Sequence, residues 1–62
     1  MFCDNIKNLR IENNLTQEEL ARILDISRST VSAWENNKTE ADFSTLKKLK
    51  EYFGVTYEEL LD

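Results

Sequence analysis

The sequence predicts an all-α fold built from five short helices. Three observations carry that expectation. Apolar residues recur at helical spacing almost throughout, with no period-two alternation. Two Thr-x-x-Glu boxes stand where helices would begin. The segments between apolar runs are loops of about two to six residues, as in compact α domains.

The first helix is expected over Asp4–Asn13, where Ile6 and Leu9 stand three apart and Asn13–Asn14 form a stop. In "TQEEL" the Thr16 hydroxyl can accept from the Glu19 N–H while the Glu19 carboxylate accepts from the Thr16 N–H. The second helix is then Gln17–Leu24, with Leu20, Ala21 and Leu24 inward. Glu18 and Arg22 lie four apart in the favourable order, worth a few tenths of a kcal/mol. "DIS" breaks the pattern: Asp25 tolerates a left-handed backbone, and Ser27 is a good N-cap. A third helix, Arg28–Asn36, turns Val31 and Trp34 inward and leaves Arg28, Ser29, Ser32 and Ala33 outside.

After the loop "NKTEA", Asp42 can cap a fourth helix, Phe43–Phe53, striped by Leu46, Leu49 and Phe53 and closed by Gly54. Thr56 and Glu59 repeat the capping box before a fifth helix ending at Leu61. The aromatic group Phe43, Tyr52, Phe53 and Tyr57 is expected in the core and at its margin, and Cys3 beside Phe2. Trp34 is expected as core filler whose indole N–H needs a partner.

Sixty-two residues suit one domain, 1–62, without a linker. With no His and a single Cys, the chain can assemble neither a zinc site nor a Cys/His nucleophile, and it has no Gly-rich phosphate loop. The composition argues against an enzyme, and no metal, cofactor or small-molecule ligand is expected. One Cys excludes an internal disulfide, no signal-peptide core is visible, and no apolar run approaches the roughly 20 residues that cross a bilayer. The expected setting is a reducing cytoplasm, away from membranes.

The second helix, a three-residue turn and the third helix form a helix-turn-helix pattern, a weak signal by itself. Its surroundings strengthen it. Through "LR" at 9–10, "LTQEELA" at 15–21, "ISRSTVSAWEN" at 26–36 and "FGVTYEELL" at 53–61, the chain resembles the Cro/repressor-type (XRE-type) helix-turn-helix family. The resemblance runs from Ile6 to Leu61 and implies a five-helix, repressor-like domain whose third helix enters the major groove of double-stranded DNA. It implies base reading by Arg28, Ser29, Ser32 and Ala33; an Arg suits the O6/N7 edge of guanine, and Ala33 a thymine methyl. It implies a phosphate held by Gln17 at the second helix N-terminus, with Thr30, Asn36, Asn37 and Lys38 flanking. Arg10 and Glu35 are the positions the family joins in a structural ion pair. Phe43, Tyr52, Phe53 and Tyr57, with Leu60 and Leu61, include the region where such proteins often form homodimers.

Some residues depart from the family pattern. Asp25 and Asn37 stand where Gly is usual, Ala41 near a frequent Pro, and Lys50 in place of a small Ala, so its ammonium must snorkel outward. Glu40 and Asp42 make the loop after the third helix acidic.

The net charge is −4, but residues 1–38 hold five cations and six anions, whereas residues 39–62 hold three and six. Exposed charges beyond about 8–10 Å are largely screened at physiological salt. The acidity therefore limits affinity without forbidding DNA binding. The expected function is a sequence-specific transcriptional regulator, a dimeric repressor on a palindromic operator. The alternative is a protein-interaction module of the same fold, antitoxin-like or antirepressor-like.

Overall fold

The computed structural model describes residues 1–62 and contains α1 (Phe2–Glu12), α2 (Gln17–Leu24), α3 (Arg28–Glu35), α4 (Phe43–Phe53) and α5 (Tyr57–Leu61), with no strands. Four of the five starts are set by side-chain caps. Thr16 and Thr56 form complete capping boxes with Glu19 and Glu59, while Ser27 and Asp42 accept from the Thr30 and Thr45 amides. α1 has no side-chain cap. It begins two residues ahead of the expected Asp4 because Phe2 is pulled into the core, its ring edge-on to Trp34 at 5.8 Å. α3 ends at Glu35, one residue short of expectation, with Asn36 as its C-cap.

The ends of the first four helices share one device. Asn14, Asp25, Asn37 and Gly54 all take left-handed backbone, at φ of 58°, 59°, 58° and 66°. The next amide then returns to a carbonyl five residues back: Leu15 to Arg10, Ile26 to Ala21, Lys38 to Ala33 and Val55 to Lys50. Asn and Asp are the non-glycine residues that accept this backbone most readily. The departures from Gly at 25 and 37 thus leave the turns intact.

Nine residues form the buried core: Phe2, Ile6, Leu20, Ala21, Leu24, Val31, Trp34, Leu49 and Leu60. Each helix contributes to it. Ala21 is 3% exposed, which fits a small residue where α3 packs against α2. α5 closes on α1 through Leu60, and the Asn5 amide donates to the Leu60 carbonyl at 3.0 Å. Lys50 is half-buried, with its ammonium 5.5 Å from the Tyr57 ring centre.

The expected aromatic cluster is split. Phe53 and Tyr57 are half-buried against the core, but Phe43 is 71% exposed and Tyr52 is 48% exposed. Phe43 occupies the first position of α4, just after the Asp42 cap, and stacks on Tyr57 from outside. No helix is long and apolar enough to cross a membrane.

Candidate nucleic-acid interface

α3 divides cleanly by face. Val31 and Trp34 are buried, while Arg28 and Ser29 are exposed and Ser32 and Ala33 half-exposed. The outward face is thus one long cation followed by small groups, a profile slim enough to enter a groove about 12 Å wide. Its N-terminus is held tightly. The Ser27 hydroxyl caps Thr30 and lies 3.0 Å from the Ser29 hydroxyl and 2.9 Å from the Thr30 hydroxyl. Thr30 is half-buried and Ser29 exposed.

At the other end, the Asn36 side-chain amide turns back along the helix. It donates to the Ser32 carbonyl at 2.9 Å and to the Ser32 hydroxyl at 3.3 Å. Asn37 supplies the left-handed turn, and Lys38 projects into solvent. Asn36, Asn37 and Lys38 therefore share one exposed corner after α3. Beyond it, Asp42 is committed to capping α4, and its bonds to Thr45 hold its carboxyl below the usual range.

The inner anchor of this surface is an ion pair. Arg10 donates from Nε to Glu35 Oε2 at 2.7 Å and from Nη2 to Oε1 at 3.0 Å, a two-point contact that joins α1 to α3. Arg10 Nη1 also donates to the Leu15 carbonyl at 2.8 Å. The two side chains are 13% and 5% exposed. Burial pushes the Glu35 carboxyl up. The hydrogen bonds from Arg10 and Gln17 and the charges of Arg10 and Lys7 outweigh that effect and hold it below its ordinary value. Arg10 is correspondingly raised, chiefly by its bond to Glu35.

Gln17, at the first position of α2, is drawn into this arrangement. Its Nε2 donates to Glu35 Oε1 at 3.1 Å, and its Oε1 accepts from Arg28 Nη1 at 3.1 Å. A continuous line of hydrogen bonds therefore runs from Arg10 through Glu35 and Gln17 to Arg28. The family resemblance implies the Arg10–Glu35 pair, which is present here in hydrogen-bonded geometry, whereas the residues alone give no sign of the Gln17 link. Nothing in local spacing signals it, because Gln17 and Arg28 meet only through the angle between α2 and α3.

Beside this line, Arg10, Thr16, Gln17, Glu18, Glu19 and Arg28 line an open cleft with no apolar walls. The Gln17 and Glu18 amides lie ahead of the first bond of α2, Leu20 N–H to the Thr16 carbonyl. The two carboxylates there are occupied: Glu19 by the Thr16 amide at 2.8 Å and Glu18 by Arg22 at 3.3 Å.

Comparison with known proteins agrees with this geometry. The helix-turn-helix family profile matches residues 6–60. The transcriptional activator BcrR of Enterococcus faecalis is 42% identical over 97% of the chain, and the CTXphi transcriptional repressor RstR of Vibrio cholerae is 34% identical over 98%. The chain spans only 29% and 55% of those two proteins. Among solved structures, that of the biofilm master regulator SinR in complex with DNA superposes with a TM-score of 0.86 at 30% identity, covering 100% of both chains. An all-helical fold with a capped α2–turn–α3 unit and a profile match over nearly its whole length has one reading: the chain belongs to the XRE-type helix-turn-helix family of transcriptional regulators.

Proposed function

We propose that the chain regulates transcription by sequence-specific binding to double-stranded DNA, as a homodimer that lays one α3 into the major groove at each of two half-sites. Occlusion of a promoter would make it a repressor. One observation carries the reading: the exposed face of α3 presents Arg28, Ser29, Ser32 and Ala33 free of the core. The similarity to SinR, solved in complex with DNA, supports it.

Arg28 reads guanine through its guanidinium, and Ala33 offers a methyl contact to thymine. The backbone amides opening α2, together with Thr30, Asn36, Asn37 and Lys38, face the phosphates that flank the groove. Lys38 is the one full charge in that set, so counterion release per monomer is small. Useful affinity then depends on two half-sites about 34–36 Å apart, and sequence-dependent DNA shape adds to the readout. The reaction is binding alone and requires neither catalysis nor a cofactor.

Selection from randomised duplex DNA, followed by fluorescence anisotropy, tests this reading. Arg28→Ala should abolish enrichment at one guanine position. Lys38→Ala should weaken binding evenly across sequences and reduce the log–log salt slope by about one per monomer. No sequence-enriched binding at low salt would sink the regulator and leave a protein partner as the role of this surface.

A further inference from the structure

Asn36 clamps one residue of the outward face of α3. Its backbone amide donates to the Ser32 carbonyl at 3.0 Å. Its side-chain Nδ2 donates to the same carbonyl at 2.9 Å and to the Ser32 hydroxyl at 3.3 Å. The orientation of this amide is fixed, because a carbonyl only accepts and the atom against it must be nitrogen. The clamp also starts from a held backbone: Asn37 takes the left-handed turn and Lys38 returns its amide to Ala33. Little beyond the side-chain torsions of Asn36 has to be ordered.

The consequence falls on the Ser32 hydroxyl. A serine inside a helix can donate to the carbonyl four residues back. Ser32 makes no such bond to Arg28, and Asn36 is the one partner of its hydroxyl within the chain. That partner is a donor. The Ser32 oxygen therefore accepts from Asn36, and its proton is left for something outside the chain. We infer that Asn36 is a positioning residue that makes Ser32 a hydrogen-bond donor, and that Ser32 thereby selects against cytosine at the base it faces. The idea rests on α3 lying in the major groove. A free hydroxyl serves in either sense and so distinguishes little. A hydroxyl whose oxygen is already engaged favours a base that presents an acceptor. Guanine, adenine and thymine each present one in the major groove, whereas cytosine presents only its N4 donor. Asn36, standing on the side of the flanking phosphates, thus acts on sequence through its neighbour one turn back.

Selection from randomised duplexes with wild type and with Ser32→Ala locates the base pair that Ser32 reads, as the position whose preference the variant relaxes. Fluorescence anisotropy then compares wild type, Asn36→Ala, Ser32→Ala and the double variant on four duplexes that differ only at that pair, and thermal melting verifies that each variant is folded. Wild type should bind the cytosine duplex about three- to tenfold more weakly than the best of the other three, the range of one net hydrogen bond. Asn36→Ala should lose most of that ratio, and in the Ser32→Ala background it should change the ratio no further. If Asn36→Ala instead weakens all four duplexes by one factor, and does so again in Ser32→Ala, Asn36 is a phosphate contact and the positioning role is overturned. The role also falls if no position relaxes in Ser32→Ala, or if Asn36→Ala still excludes cytosine; sequence-specific binding by the wild type would then leave the regulator reading standing. A wild type with no preferred base at any position would overturn both.

Discussion

The two turns that bracket α3 use the same backbone and opposite side chains. Before α3, Asp25 goes left-handed and Ile26 returns its amide to Ala21, with its side chain packed against the core. After α3, Asn37 goes left-handed and Lys38 returns its amide to Ala33, but its side chain stands in water. At the ends of α1 and α4 the equivalent residues, Leu15 and Val55, pack against the core as Ile26 does. Only the turn leaving α3 gives up that apolar contact, and the residue that takes its place is an exposed cation. The C-terminal end of α3 is therefore held less by its own turn than by Glu35. The N-terminal end is held by Ile26 and the Ser27 cap.

The largest break in that comparison comes from Arg10→Met. It strands Glu35 nearly buried and unpaired, and about 3 kcal/mol of stability should be lost, measured by chemical denaturation. The loss should depend on pH. In the wild type, Glu35 titrates below its ordinary value of 4.5, so the folded state binds fewer protons there than the unfolded chain. The pair's contribution is full above that value and fades as pH falls through the folded-state pKa. Glu19, held down by its bonds to Thr16, and Asp42, held down by Thr45, act in the same direction. In Arg10→Met, the main influence lowering Glu35 is gone and burial pushes it up. The stability gap between variant and wild type should narrow on acidification from pH 7 towards 4. A gap independent of pH would refute the assignment of the loss to Glu35.

Next in size is Ile26→Ala at the opposite end of α3. It removes the apolar anchor of the entering turn and should cost about 2 kcal/mol, Ile26 being half-buried. A cost as small as that of an exposed site, such as Lys38→Ala, would erase the distinction between the two turns. The smallest effects are expected from Asp25→Gly and Asn37→Gly. Both sites impose nearly the same φ, so each glycine should add about 0.5 kcal/mol by relieving the left-handed backbone. Destabilisation at either position in urea melts would show that its side chain holds the turn and does not merely tolerate it.

These turns also show how much could be read beforehand. The boundaries of α2 and α4 and the start of α5 match expectation because Thr16, Asp42, Gly54 and Thr56 act on backbone within a few residues. The start of α1 was missed because Met1 offers no side-chain cap and Phe2 is drawn in by Trp34, 32 positions along the chain. Phe43 belongs to an aromatic group expected in the core and at its margin; its position just after the α4 cap leaves it outside. At the candidate interface, the outward face of α3 followed from helical periodicity. The line from Arg10 to Arg28 did not, because it joins side chains from three helices whose crossing angles are set only in the folded molecule.

The closed helix ends carry a consequence for the order of folding. Caps and returning amides are completed within about five residues, so the ends of α2 and α4 are specified locally. Helices this short nevertheless persist only once they pack on one another. Few distant meetings remain, the Arg10–Glu35 pair and the Asn5–Leu60 contact among them. Chains dominated by such local closure cross a small entropic barrier and fold in microseconds to milliseconds. The closures that cost most in chain entropy are those of α1 with α3 and α5, and the Arg10–Glu35 pair belongs to the first of them.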